Sequence, residues 1–247
     1  MKKSLFSIVI IVILGLIVSG CIAPLESVTP TSEKGNPKPE LTSPIIQRGV
    51  FTDYGYSSPP WYPPSEETKS YRWAPRIYWL ADDLPINIIV YTANAPIAGT
   101  FGPIQTGFTT WDTELIGTTL YGSITENGGT SPGVVLDDAN TVTWASIDGP
   151  SGIIGATYYW YWSNTKKMIE FDIVLDSGDS WSLTGAKNTF DVQNIATHEA
   201  GHTLVLQDLR SPRDGALTMH AYTWREDITK RTLGWGDILG IKAIYGE

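Results

Sequence analysis

The chain holds one cysteine and three histidines in 247 residues. A single cysteine excludes an internal disulfide. Basic residues are also scarce, 17 Lys and Arg against 26 Asp and Glu, for a net charge of −9. Nucleic-acid binding runs on Lys and Arg neutralising phosphates, so no nucleic-acid partner is expected. The acidity is silent about substrate and consistent with keeping an exported protein soluble. There is no internal repeat, and the one long apolar run is Ile8 to Val18.

That run follows Lys2 and Lys3 and ends in Ser19-Gly20-Cys21, the pattern of an export signal. It is too short for a convincing spanning helix. Val18-Ser19-Gly20-Cys21 resembles the lipobox of prokaryotic lipoproteins. The resemblance implies a signal peptide over residues 1–20 and lipidation of Cys21, which would anchor the protein to the outer side of the cell membrane. An ordinary signal peptide is the alternative. Loss of Lys2 and Lys3 would take the net charge from −9 to −11. Residues 21–70 are rich in Pro, Ser and Thr and read as an extended tether. Its later part, with Phe51, Tyr54, Tyr56, Trp61 and Tyr62, is apolar enough to pack onto a domain. Residues 71–247 are the size of one domain, expected to be a monomer.

Two of the three histidines fall in His198-Glu199-Ala200-Gly201-His202. Histidines four apart lie on one face of a helix, so both imidazoles can reach one metal ion, with the glutamate beside that face. This is the HExxH pattern of zinc peptidases. Zinc in such enzymes takes three protein ligands and keeps a fourth position for water. Asp208, Glu226 and His220 compete for the third place. Asp208 lies ten residues after His198, about 15 Å along a continued helix, so it can serve only if the helix ends after His202 and the chain turns back.

Around the motif, Pro85–Tyr91, Thr141–Ala145, Gly152–Trp162 and Met168–Leu175 read as strands. Ile104, Phe108, Trp111 and Leu115 mark a helical face. Asp191 is a plausible N-cap for the motif helix, and a last helix is expected from Asp237 with Ile238, Ile241 and Tyr245 inward. The order gives an α+β domain with a mixed sheet and the metal helix at its centre. Tyr158–Trp162 reads as a strand with large residues on both faces, with a sugar-stacking platform as its rival.

His198 to Asp208 resembles the elongated metal-binding motif of metzincins, in the form that ends in aspartate. The glycine of that motif falls at Val205, a β-branched residue ill suited to positive φ. Leu217–Tyr222 resembles the Met-turn beneath the metal, with Met219 as its methionine, and Arg231–Gly246 resembles the closing segment of matrixin-type domains. The resemblance implies a mostly parallel twisted sheet with a C-terminal helix, and zinc held by His198, His202 and Asp208. It further implies Glu199 as general base, Tyr222 as an oxyanion candidate, calcium at Asp172 and Asp176, and Gly152–Tyr158 as the strand that pairs with extended substrate. No cysteine other than Cys21 lies upstream, so a cysteine-switch propeptide is not expected.

The function that follows is an exported, membrane-anchored zinc endopeptidase acting on peptide or protein substrates at or above neutral pH. The rivals are a gluzincin-type peptidase using Glu226 and a non-catalytic surface module with a structural metal.

Overall fold

β-Branched and aromatic runs become strands here, and the strand order is set by where helices can cover the sheet. The computed structural model describes residues 45–56, 68–74, 76–150 and 152–246. The signal and lipobox residues, Cys21, Trp61 and Tyr62 lie outside them. Strands β1 (Ile46–Tyr56), β2 (Ile86–Tyr91), β3 (Tyr121–Asn127), β4 (Asn140–Ala145), β5 (Ile153–Trp162), β6 (Met168–Asp176) and β9 (Tyr222–Trp224) form one sheet, ordered β3-β2-β4-β6-β5-β1-β9. The pairs β2/β3, β2/β4, β4/β6 and β1/β9 are parallel; β5/β6 and β1/β5 are antiparallel. Strands β7 (Trp181–Ser182) and β8 (Phe190–Asp191) make a short separate ladder.

Three helices complete the α+β domain: α1 (Phe101–Asp112), α2 (Val192–Thr203) and α3 (Trp235–Tyr245). No helix among the described residues is long and apolar enough to cross a membrane. Helix α1 buries Ile104, Phe108 and Trp111 of the face its periodicity predicts, but it ends at Asp112, so Leu115 lies beyond it. Gly107 lets it approach α2 closely, since a Cβ there would meet the Thr197 amide at 2.8 Å. Trp111 Nε1 donates to the Thr197 carbonyl at 2.9 Å, tying the two helices.

Three expectations need correction. The domain does not begin at residue 71, because β1 joins the sheet from Ile46. Nine register pairs with β5 satisfy its backbone groups, which the spacing of prolines around it does not reveal. In sequence β6 alternates Ile169, Phe171, Ile173 and Leu175 on one face with Glu170 and Asp172 on the other, yet Glu170 and Asp172 are as buried as Phe171 and Ile173, and their carboxylates accept amides of the 135–138 loop. Helix α3 starts at Trp235 rather than Asp237, and its packed face is Gly236, Asp237, Gly240 and Ile241. At Gly236 a Cβ would meet the Ser70 carbonyl oxygen at 2.2 Å, so this close crossing requires glycine.

Candidate metal centre

Helix α2 begins where Asp191 caps it, accepting from the Asn194 amide at 3.0 Å, while Arg231 clamps the same carboxylate at 2.6 Å. The three chemical side chains of the motif are buried: His198, Glu199 and His202 are all wholly inaccessible. His198 Nδ1 lies 2.7 Å from the Thr218 carbonyl, and His202 Nδ1 lies 2.8 Å from the Leu206 carbonyl. A carbonyl only accepts, so each Nδ1 carries the proton and each Nε2 keeps a free lone pair. Burial, with Lys230 adding to it, lowers the pKa of His198 and favours that neutral ring.

Beyond His202 the chain turns as the sequence requires. Val205 stands at φ 65°. Its amide donates to the His202 carbonyl at 2.9 Å and the Leu206 amide donates to Gly201 at 3.1 Å, the paired bonds of a Schellman helix end. Glycine usually fills that position; here a buried valine does. The turn is pinned by Ala74, whose amide donates to the Val205 carbonyl at 2.8 Å, and by Gln207, whose amide donates to Arg72 at 2.8 Å. Asp208 is thereby returned to the helix, its Oδ1 3.4 Å from His198 Nε2 and 3.5 Å from His202 Nε2.

These three atoms are buried and have no hydrogen-bond partner among the described residues. Bonds of about 2.0–2.2 Å from a tetrahedral ion to such ligands would set edges of about 3.3–3.6 Å, so the donor set fits zinc in type and in spacing. Burial alone would raise the Asp208 pKa, but the two histidines hold it well below the usual carboxylate range. His202 is shifted oppositely: burial lowers it, and Asp208 more than compensates.

Beneath the histidines lies Met219, whose sulfur a Cβ at Gly201 would strike at 2.3 Å. Asp237 of α3 fixes this turn by accepting from the Thr218, Met219 and Gly234 amides at 2.7, 3.1 and 2.9 Å. Glu199 points to the other side, against β5. Thr157 Oγ1 donates to its Oε2 at 2.5 Å, while Oε1 has no partner. Gly155 makes the room, since a Cβ there would meet Glu199 Oε1 at 2.5 Å. Burial pushes the Glu199 pKa up to about 8.

The chain matches the matrixin family model over residues 78–246. It belongs to the matrixin family. No curated protein matches it. Matrixins are zinc metallopeptidases, and the matched span of this matrixin holds β2 to β9, all three helices and the cluster of His198, His202 and Asp208, but not β1.

Other candidate residues of this matrixin lie elsewhere. Glu226 is exposed at φ 69° and accepts from the Asn188 amide at 3.1 Å, beside the start of α2, so the Glu226 alternative is overturned. His220 is buried after the Met-turn; it joins no cluster of metal-ligating groups among the described residues, and its pKa falls to about 4 through burial. Tyr222 sits in β9 with its ring edge-on to the Tyr56 and His220 rings. Asp172 and Asp176 are four residues apart on one strand, about 13 Å, too far to share an ion. Asp172 instead accepts from Thr141 and the Val135 amide, and Asp176 from the Ile147 and Gly178 amides. The Tyr159 and Tyr161 rings stack on each other, and Tyr159 also stacks on Phe51, which favours packing over a sugar platform.

Sequence reading missed Asp53, Thr157, Gly155 and Lys230. Only the strand that carries Thr157 and Gly155 was marked by a pattern. Nothing local marks Asp53, which lies 145 positions before His198 in a proline-flanked segment.

Proposed function

We propose that this matrixin is a zinc endopeptidase in which His198, His202 and Asp208 hold the metal and Glu199 is the general base. The observation that carries the reading is the convergence of two Nε2 atoms and one Oδ1, all buried and unpartnered, beside the free Oε1 of Glu199. Zinc bound there would lower the pKa of water and polarise the scissile carbonyl. The chain's own residues supply the rest. The Thr218 and Leu206 carbonyls fix both imidazole tautomers and ring orientations. Thr157 holds one oxygen of Glu199 so that the other faces the reacting water, takes its proton and passes it to the leaving amine. Asp208 brings a negative charge where many such sites have a third imidazole, which favours activity at or above neutral pH. The edge of β5 away from β6, which pairs with β1 in this structure, is the edge suited to an extended peptide.

The setting is part of the proposal. Lys2, Lys3, the apolar run and Val18–Cys21 support export and lipid anchoring at Cys21. The test combines metal analysis with casein cleavage, with and without chelator, for wild type and Glu199→Ala. One zinc per chain in both proteins is expected, with chelator-sensitive cleavage only in wild type and a loss of at least a hundredfold in the variant. Cleavage that survives Glu199→Ala sinks the assignment of the base.

A further inference from the structure

The edge of β5 that suits a substrate is already covered by the chain itself. Strand β1 runs antiparallel to β5, pairing Ile46 with Trp162 through Asp53 with Gly155. Strand addition of this kind is how an extended peptide docks on an open edge. Strand β1 lies outside the matched family span, which starts at residue 78. It also contributes little to the core. A structural strand buries aliphatic side chains, yet the only buried residues of β1 are Asp53 and Gly55, while Val50, Tyr54 and Tyr56 are exposed.

Its inward positions instead address the metal centre. Phe51 stacks on the ring of His202, with centroids 4.4 Å apart and planes within 7°. Two residues on, Asp53 is wholly buried, and one of its carboxylate oxygens lies within 4.8 Å of ligand atoms of His198 and Glu199. Oδ2 accepts from Thr223 Oγ1 at 3.2 Å and lies 3.8 Å from Lys230 Nζ, itself buried and anchored on the His220 carbonyl at 2.6 Å. Oδ1 has no partner among the described residues. A buried carboxylate with an unpaired oxygen is costly unless the site it faces uses it. Glycines let the strand sit this close: a Cβ at Gly49 would overlap the Tyr159 ring at 2.2 Å.

We propose that residues 46–56 are an inhibitory strand that occupies the substrate edge of β5 and is latched by Asp53 beside His198 and Glu199. The inference rests on the peptidase reading above. A tethered strand competes at an effective concentration on the order of millimolar, so free substrate displaces it poorly. Activity then requires that β1 leave the cleft. The upstream segment does with an aspartate and main-chain pairing what a cysteine cannot do in a chain whose only cysteine is Cys21.

The test uses the full zinc-loaded chain as wild type, Asp53→Ala and Gly49→Val, with thermal melts to confirm folding. Hydrogen–deuterium exchange of residues 46–56 and 153–162 reads strand release independently of metal and catalysis. Calorimetry with a peptide hydroxamate reads access to the cleft, and casein hydrolysis reads activity. Both variants should exchange at least tenfold faster in β1, bind the hydroxamate at least tenfold tighter and cleave casein at least tenfold faster. Exchange and hydroxamate affinity unchanged in both folded variants overturn the inhibitory role and make β1 a constitutive strand. If Asp53→Ala fails to fold, Gly49→Val alone decides between these outcomes. Faster exchange and tighter hydroxamate binding without cleavage leave the inhibitory strand standing and sink the peptidase reading instead.

Discussion

At Val205 a fully buried β-branched residue holds φ 65°, a conformation that costs on the order of 1–3 kcal/mol outside glycine. The surrounding bonds over-determine it, because Ala74, Gln207 and the helix end all fix the same turn. Substitution by glycine removes about 1.5–3 kcal/mol of apolar burial and adds backbone freedom, but it also releases the strain. Alanine loses burial and keeps most of the strain. We therefore expect Val205→Gly to be no more destabilising than Val205→Ala in urea unfolding, the reverse of their usual order. A clearly less stable glycine variant would show that Val205 is not strained.

At the scale of elements, helix α3 acts on the centre without touching it. Asp237 accepts two Met-turn amides, of Thr218 and Met219, and the Gly234 amide at the start of its own helix, and the Thr218 carbonyl of that turn orients His198. Asp237→Ala leaves these buried donors unpaired and should cost about 3 kcal/mol or more by denaturant titration. Asp237→Asn keeps an acceptor and should cost less; equal losses would mean that charge, not the bonds, matters.

Strand β6 and the 135–138 loop are joined by Glu170, which accepts from the Asp137 and Asp138 amides at 2.9 and 2.5 Å. Burial, against the pull of those amides, pushes the Glu170 pKa from 4.5 up to about 7. The folded form thus binds the proton more tightly than the unfolded chain. The stability Glu170 contributes is full below pH 4.5 and is lost as pH rises through about 7. Glu170→Gln has no such loss. Relative to wild type its stability should improve across that window by up to about 3 kcal/mol and then level off. Melting temperatures at half-unit pH steps measure this, and a constant difference would refute it.

For the whole molecule, the centre joins α2, the Val205 turn and the Met-turn, so zinc held there as proposed would couple metal binding to folding. An ion bound only by the native state adds about 2.7 kcal/mol at a hundred times its Kd. Chelation should lower the Tm by several degrees in calorimetry, and added zinc should restore it in a concentration-dependent way. A Tm indifferent to both would mean the cluster does not hold metal in the native fold.

Some of this was written locally in the chain. The helical pair His198 and His202, the glutamate between them, the Asp191 cap and the strands now called β2, β4, β5 and β6 follow from spacing of 3.6 or 2 residues and from side-chain shape. Strands β1 and β9, the buried roles of Glu170 and Asp237, and the bond from Thr157 to Glu199 do not. Each depends on partners tens of residues away, and no local pattern encodes a partner. The return of Asp208 lies between the two. The sequence required the helix to stop after His202, but only tertiary contacts with Arg72 and Ala74 could hold a valine in the left-handed turn that brings the carboxylate back.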